Sequence, residues 1–234
     1  MSRHPFDKQD PASVSPQRMR PKDAATLMLI DRRASGLRVL LGKRGQGHVF
    51  MPNLYVFPGG RRDRSDHGLP FMRDLHPDVI GKLSAGAPEP AAQRRARALA
   101  LAAIRELREE TGLVIGRLEV SGDGRERLSA DLSCLRYVAR AITPPGNVRR
   151  FDTRFFLAFT DEAGIDPADV RDSNELHDLT WLDIEAITSL NMPQITRTIL
   201  EDVKTQMNAD SNLPFGNQGP FYFSRRGQFM RGNI

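Results

Sequence analysis

The sequence predicts an α/β (α+β) domain in which helices cover a mixed β-sheet. Apolar runs of strand length, separated by turn residues, occur at 23–57 and again at 135–160, which is typical of paired strands. Residues 90–111 are rich in Ala, Arg, Leu and Glu, which favour a helix. Strands and helices mix without strict βαβ alternation. The 234 residues, 39% of them hydrophobic, are enough for one domain with tails.

The first predicted strands form a hairpin. Residues 23–30 (DAATLMLI) and 37–44 (LRVLLGKR) have strand length and apolar character, and the polar segment 31–36 reads as the turn between them. A third short strand covers 55–57. It ends at Pro58–Gly60, where two glycines let the backbone turn sharply and approach a ligand closely.

The middle of the chain changes character twice. Residues 61–90 are rich in Arg, Asp, Gly and Pro, and we expect an excursion from the domain with one short helix at 72–83. A long helix is then predicted from Pro90 to Thr111, because proline is permitted in the first turn of a helix.

The second half supplies the remaining elements. Strands are predicted at 135–142 and 153–160, and a further strand-like segment ends the stretch 174–182. An amphipathic pattern predicts a helix over 194–207. The aromatic run 221–223 is a candidate for one more strand or for docking on the body of the domain.

The net charge of +5 is concentrated at the two ends of the chain. Residues 1–21 carry +2 and residues 211–234 carry +3, which leaves the presumed body neutral. A nucleic-acid-binding surface would place the excess on the body, so a nucleic-acid partner is disfavoured. We expect a flexible arm at 1–21, a folded domain at 22–210 and a basic tail at 211–234.

Neither a disulfide nor a membrane segment is predicted. Cys134 is the only cysteine, so an internal disulfide is excluded and a reducing compartment is favoured. The N-terminus has no apolar leader, and no run approaches about 18 apolar residues. We therefore expect a cytoplasmic protein without membrane contacts. The sequence leaves the oligomeric state open, and a homodimer is compatible with it.

The segment 102–113 carries the strongest chemical signal. Glu106, Glu109 and Glu110 are spaced i, i+3 and i+4, so a helix would bring the three carboxylates onto one face. Like charges this close repel one another unless a cation lies among them, and Mg²⁺ prefers such oxygen ligands together with substrate phosphates. Arg105 lies one turn before Glu109 and can pair with it. The alternative is a solvated charged face, which is common on such helices.

Together with the two earlier glycines, this run resembles the Nudix box, whose pattern is G-x5-E-x7-R-E-U-x-E-E-x-G-U. Residues 105–113 match its second half at every defined position. The resemblance extends over roughly residues 22–207. It implies a Nudix-type α/β/α sandwich around a mixed central β-sheet.

The first half of the box departs from the family pattern. Forty-four residues separate Gly60 from Arg105, where the family has thirteen, so 61–90 is an insertion within the box. Arg97 stands where the family places its upstream glutamate. The carboxylates that could replace this glutamate are Asp63, Asp66 and Glu89.

A long insertion in the box is also a feature of the coenzyme-A diphosphatase branch of the family. Residues 39–60 and 150–156 are similar to that branch. Its motif LLTxRSx3Rx3Gx3FPGG keeps its spacing here, although Val49 replaces its second arginine and Asn53 replaces its glycine.

The resemblance implies metal-dependent hydrolysis of a diphosphate linkage in a small nucleotide-like substrate, such as coenzyme A or acyl-CoA, with Mg²⁺ or Mn²⁺ as cofactor. The implied metal ligands are Glu106, Glu109 and Glu110; the implied catalytic residues are Glu106, Arg105 and Glu109; the implied substrate-binding residues are Arg44, Gly59 and Gly60. Glu175 is a candidate for a further carboxylate, or a surface residue before the core Trp181. Two other functions stay open: hydrolysis of ADP-ribose or another nucleotide diphosphate, and a catalytically silent binding module on the same scaffold.

Overall fold

The computed structural model of the chain describes residues 19–33, 36–45, 53–86, 89–120, 122, 124–187 and 190–234. Its strands are β1 Lys22–Asp31, β2 Arg38–Arg44, β3 Tyr55–Val56, β4 Gly59–Arg61, β5 Phe71–Arg73, β6 Gly116–Val120, β7 Glu126–Asp131, β8 Arg136–Ile142, β9 Phe151–Phe159, β10 Leu176–Asp183, β11 Pro220–Arg225 and β12 Gln228–Asn233. Its α-helices are α1 Pro77–Ser84, α2 Ala91–Thr111, α3 Thr160–Ala163 and α4 Gln194–Ala209. Residues 1–18 of the predicted arm and 46–52 of the coenzyme-A-like segment lie outside the described residues.

Nine of these strands form one mixed sheet. Its order is β10-β2-β1-β9-β8-β11-β12, with β3 paired to β2 and β4 paired to β1. The pairs β1–β9 and β8–β11 are parallel, whereas β1–β2, β8–β9 and β11–β12 are antiparallel. Strand β1 is central, and its run Leu27–Ile30 is completely buried because both faces of the sheet are covered.

A helix packs on each face of this sheet. Leu99, Ile104 and Leu107 of α2 share one hydrophobic cluster with Leu27 and Leu29 of β1. On the other face, the apolar side of α4 packs against alternate residues of the same strand, Met28 and Ile30. The alternation follows from the two-residue period of a strand. The predicted α/β/α sandwich with a mixed central sheet is therefore confirmed.

Helix α2 follows from its sequence. Six of its buried residues are alanines, which let the helix lie close to the sheet and cost little conformational entropy. Gly112 ends it with a left-handed φ of 74°, and its N–H donates to the carbonyl oxygen of Arg108 at 2.9 Å.

Several elements differ from the prediction. The insertion helix begins at Pro77, later than expected, because Phe71–Arg73 pairs as a strand with β7. Strands β6 and β7 were not predicted and form a small separate sheet with β5. Residues 211–234, expected as a tail, include the hairpin β11–β12, which extends the main sheet beside β8.

Buried ion pairs cross the sheet at β9. Asp152 accepts hydrogen bonds from Arg140 at 2.8 Å and lies 2.9 Å from the guanidinium of Arg154. Burial lowers the pKa of Arg154 from its ordinary value, and the charge of Asp152 opposes this effect. In the structure Asp152 neutralises buried arginine charge.

Asp152→Ala is expected to lower the free energy of unfolding by roughly 3 kcal/mol, because it leaves a buried guanidinium short of negative charge. The matched control is Glu126→Ala, which breaks an exposed ion pair with Arg108 and is expected to cost less than about 1 kcal/mol. Urea titration measures both values. Equal losses would contradict a structural role for Asp152.

Candidate active site

The site begins where β4 pairs with the first half of β1. Gly59 and Gly60 pair with Thr26 and Ala25, and the last two turns of α2 lie against them. A Cβ atom on Gly60 would collide with the carboxylate of Glu106, and one on Gly59 would lie 2.6 Å from the carbonyl oxygen of Ala25. Gly60 is therefore required for the close approach of β4 to α2, and Gly59 for the close approach of β4 to β1.

The guanidinium of Arg105 connects the helix to the insertion. Its Nε donates to Oδ1 of Asp66 at 2.8 Å, and its Nη1 donates to Glu106 and Glu109, each at 2.9 Å. Its Nη2 donates to the carbonyl oxygen of Arg61 at 3.2 Å. Burial disfavours this charge, but the hydrogen bond to Asp66 and the charge of Glu106 outweigh burial and raise the pKa of Arg105.

Asp66 is one of the three carboxylates that were candidates to replace the upstream glutamate of the family. Its side chain is completely buried and accepts a second hydrogen bond from the N–H of Asp63 at 2.6 Å. The other candidates lie elsewhere: Asp63 pairs with Arg61 at the surface, and Glu89 is exposed before α2. Arg97, at the position of the family glutamate, pairs with Asp74.

The surroundings of Glu106 and Glu110 disfavour the charged forms of both side chains. Burial raises the pKa of Glu110 to about 8. The N–H of Gly59, which donates to Glu110 at 2.8 Å, opposes this rise, and the charge of Glu106 adds to it. Burial also raises the pKa of Glu106, against the pull of Arg105. Glu175 raises both values further. A cation beside these carboxylates would relieve their unfavourable charge.

These carboxylates lie at one end of a cavity of about 570 Å³. It extends over the α4 face of the sheet, across β1, β9 and β8, to the hairpin β11–β12. Residues at or near the acidic end are Glu106, Glu110, Glu175, Arg44, Gly59 and Gly60. The cavity is large enough for a small-molecule ligand.

The structure therefore brings together most of the predicted site but not Glu109. The side chain of Glu109 is 57% exposed, is paired with Arg105 and does not line this cavity. The reason is angular: on a helix Glu110 lies about 40° from Glu106, whereas Glu109 lies about 60° away on the opposite side. Within the described ranges, no group of three or more His, Cys, Asp or Glu side chains is placed to hold one ion.

The donor set at the cavity still fits a divalent cation. Glu106 and Glu110 offer carboxylate oxygens, which hard divalent ions prefer, and a bound cation would favour the charged forms that burial disfavours. The aromatic residues Tyr222 and Phe229 at the other end were missed as cavity residues. Only the aromatic run 221–223 gave a signal of part of this wall.

A family model decides the assignment. The NUDIX domain model matches residues 77–203, which is more than half of the chain. The chain belongs to the Nudix family. Together with its fold, this makes the protein a Nudix-type pyrophosphohydrolase. Nudix hydrolases generally use divalent metal ions.

A solved structure agrees with the Nudix fold. The chain is similar to a NUDIX hydrolase from Alicyclobacillus acidocaldarius, with 25% identity and a TM-score of 0.61 over 83% of this chain and 96% of that one. It is more distantly similar to the NUDIX domain of Shewanella oneidensis NrtR complexed with ADP ribose, with 14% identity and a TM-score of 0.49 over 81% and 90% of the two chains. Among the described residues, no helix has the length and apolarity needed to cross a membrane.

Gly60→Ala is expected to lower turnover of the best diphosphate substrate by about 100-fold, because the added methyl group displaces the carboxylate of Glu106. Gly81→Ala is the matched control, since a Cβ there meets nothing within 4 Å. Steady-state kinetics and thermal melting should show an inactive, folded variant beside an active control. Full activity of Gly60→Ala would contradict the close approach.

Proposed function

We propose that the protein hydrolyses the diphosphate linkage of a nucleoside diphosphate derivative at the acidic end of this cavity, with coenzyme A or an acyl-CoA as the first candidate substrate. The observation that supports it most is a pair of carboxylates, the part-buried Glu106 and the buried Glu110, at the end of a cavity of about 570 Å³ that Arg44 also lines. The cavity has room for groups on both sides of a diphosphate.

Glu106 and Glu110 would hold a Mg²⁺ or Mn²⁺ ion, with Glu175 close by. When bound, the ion would neutralise phosphate charge and make water more acidic. Glu109 would join as the third ligand only after its ion pair with Arg105 opens. We keep it in this role because the side chain is exposed, and exposed ion pairs of this kind contribute little free energy.

Glu106 is the proposed general base. Its carboxylate would accept the proton of the attacking water, and Arg105 would hold it in the required orientation through the 2.9 Å hydrogen bond. Asp66 fixes Arg105 in turn from the insertion. These two supporting residues act on position and not on the substrate itself.

Arg44 and the glycines are proposed to bind the substrate. Arg44 lies at the end of β2. No ion-pair partner within 4 Å is found for it among the described residues. Its guanidinium can therefore donate hydrogen bonds to a phosphate. Gly59 and Gly60 line the same end of the cavity as Arg44, and without a Cβ they would let a ligand approach the backbone closely.

One departure from the coenzyme-A motif is conservative in backbone terms. Asn53 has a left-handed φ of 60°, a conformation that glycine and asparagine adopt more readily than other residues. The replacement of glycine by asparagine therefore keeps the backbone turn. Val49 lies outside the described residues.

ADP-ribose or another nucleotide diphosphate is the alternative substrate, and the silent binding module is the alternative without catalysis. A cytoplasmic location and a homodimer stay predictions.

A hydrolysis screen tests the function. The metal-free protein is assayed with coenzyme A, acyl-CoA, ADP-ribose and nucleoside diphosphate sugars, before and after addition of Mg²⁺ or Mn²⁺. We expect EDTA to abolish product formation and either ion to restore it. Hydrolysis that resists chelation would contradict the metal-dependent mechanism. The absence of both turnover and metal binding in calorimetry would favour the silent module, which has no need of the metal.

Glu106→Gln and Glu110→Gln are each expected to lower kcat by about 100-fold or more, because the charge is lost while the shape is kept. The matched control is Glu119→Gln on exposed β6, which should leave kcat unchanged. Kinetics at saturating Mg²⁺ gives the comparison. Rates near that of the unmodified protein would remove the two residues from the metal site.

A further inference from the structure

The C-terminal hairpin builds the end of the cavity that lies away from the carboxylates. Tyr222 of β11 and Phe229 of β12 both line this cavity. Their rings are stacked, with centroids 5.4 Å apart and an interplanar angle of 11°. Phe229 is nevertheless 62% exposed. One face of its ring is therefore covered by tyrosine, while much of the rest is accessible from the cavity.

This aromatic pair is held rigidly. Tyr222 is only 3% exposed, and its hydroxyl donates to the carboxylate of Asp202 on α4. Arg231 of β12 donates to the same carboxylate at 2.7 Å. Burial raises the pKa of Tyr222 to about 12, so the ring stays neutral at physiological pH. An exposed phenylalanine on a fixed neutral support is a preformed binding surface.

The geometry of the sheet sets the reach of a ligand between the two ends. From β1 the order runs through β9, β8 and β11 to β12, which is four strand spacings or about 19 Å along the sheet. This is more than a diphosphate alone can span. The floor between the ends includes the small residues Ala24, Ala141 and Thr153, which leave room for a ligand to lie across the strands.

We propose that Phe229, supported by Tyr222, stacks against the nucleobase of the substrate while the diphosphate lies at the carboxylates. This inference rests on the proposed function and assigns the hairpin as the part that selects nucleotide substrates. A flat aromatic base gains from stacking on an open phenyl face, and such stacking tolerates different bases. The exposed ring is thereby covered when the ligand is bound.

The test measures binding and does not depend on turnover. Adenosine monophosphate and ribose 5-phosphate are titrated by calorimetry into the full chain in the presence of Mg²⁺. Phe229→Ala is expected to weaken binding of adenosine monophosphate by about 5- to 150-fold, and binding of ribose 5-phosphate by less than twofold. Phe229→Trp should restore the affinity, whereas Phe229→Leu, which keeps apolar volume without an aromatic ring, should not.

The matched control is Phe71→Ala on β5, an exposed phenylalanine outside this cavity, which should leave both affinities unchanged. Equal effects of Phe229→Ala on the two ligands, or an unmodified protein that does not distinguish them, would overturn the inference. If no diphosphate is hydrolysed but the base-dependent difference persists, the proposed reaction fails and the stacking site stands. If a diphosphate is hydrolysed but Phe229→Ala shows no base-dependent difference in binding, the stacking site fails and the proposed reaction stands.

Discussion

The proposed reaction depends on the hydrogen bonds that the guanidinium of Arg105 donates. This group is half-buried and bonds at once to Asp66, Glu106, Glu109 and the carbonyl oxygen of Arg61. A planar fork with five donors can bridge such partners in fixed directions, which the single ammonium of lysine cannot do. The cation also offsets the repulsion between the neighbouring carboxylates. Without it, their burial beside β4 would be still less favourable.

The cavity separates two tasks that the chain encodes far apart. The charged end comes from α2 and the glycines of β4, and the aromatic end comes from the last strands of the chain. The sheet joins them, because a fixed spacing between strands sets the distance between the reacting group and the group to be recognised. The proposed substrate class follows from both ends and not from the carboxylates alone.

Much of the central fold could be predicted from local patterns. The apolar runs at 23–30 and 37–44 and the alanine-rich helix before Gly112 carry signals within a few residues of one another. The spacing of Glu106 and Glu110 likewise placed both side chains near one face. These features depend on the periods of strands and helices, which the sequence shows directly.

Other features depend on contacts between distant segments. Strand β6 is mostly exposed, and the buried residues of β7 are consecutive and do not alternate with exposed ones, so their pairing left little periodic signal. The position of Asp66 depends on how the insertion folds back over α2, and three carboxylates were equal candidates before that path was known. Helical spacing places Glu109 and Glu110 on opposite sides of Glu106, but which side faces the cavity depends on how α2 packs against β4. Glu109 is on the outer side, where it pairs with Arg105.

The buried position of Asp66 changes the status of the segment that separates the glycines from the arginine. A segment that delivers the counter-ion of Arg105 across 39 positions of sequence is part of the constellation that it interrupts. The length and the composition of this segment are then coupled. A shorter loop remains compatible with Arg105 only if another anion reaches the Nε of Arg105. Grafting the loop of an uninterrupted relative onto this domain would therefore require a compensating acid within reach of the Arg105 guanidinium, where Asp66 now lies.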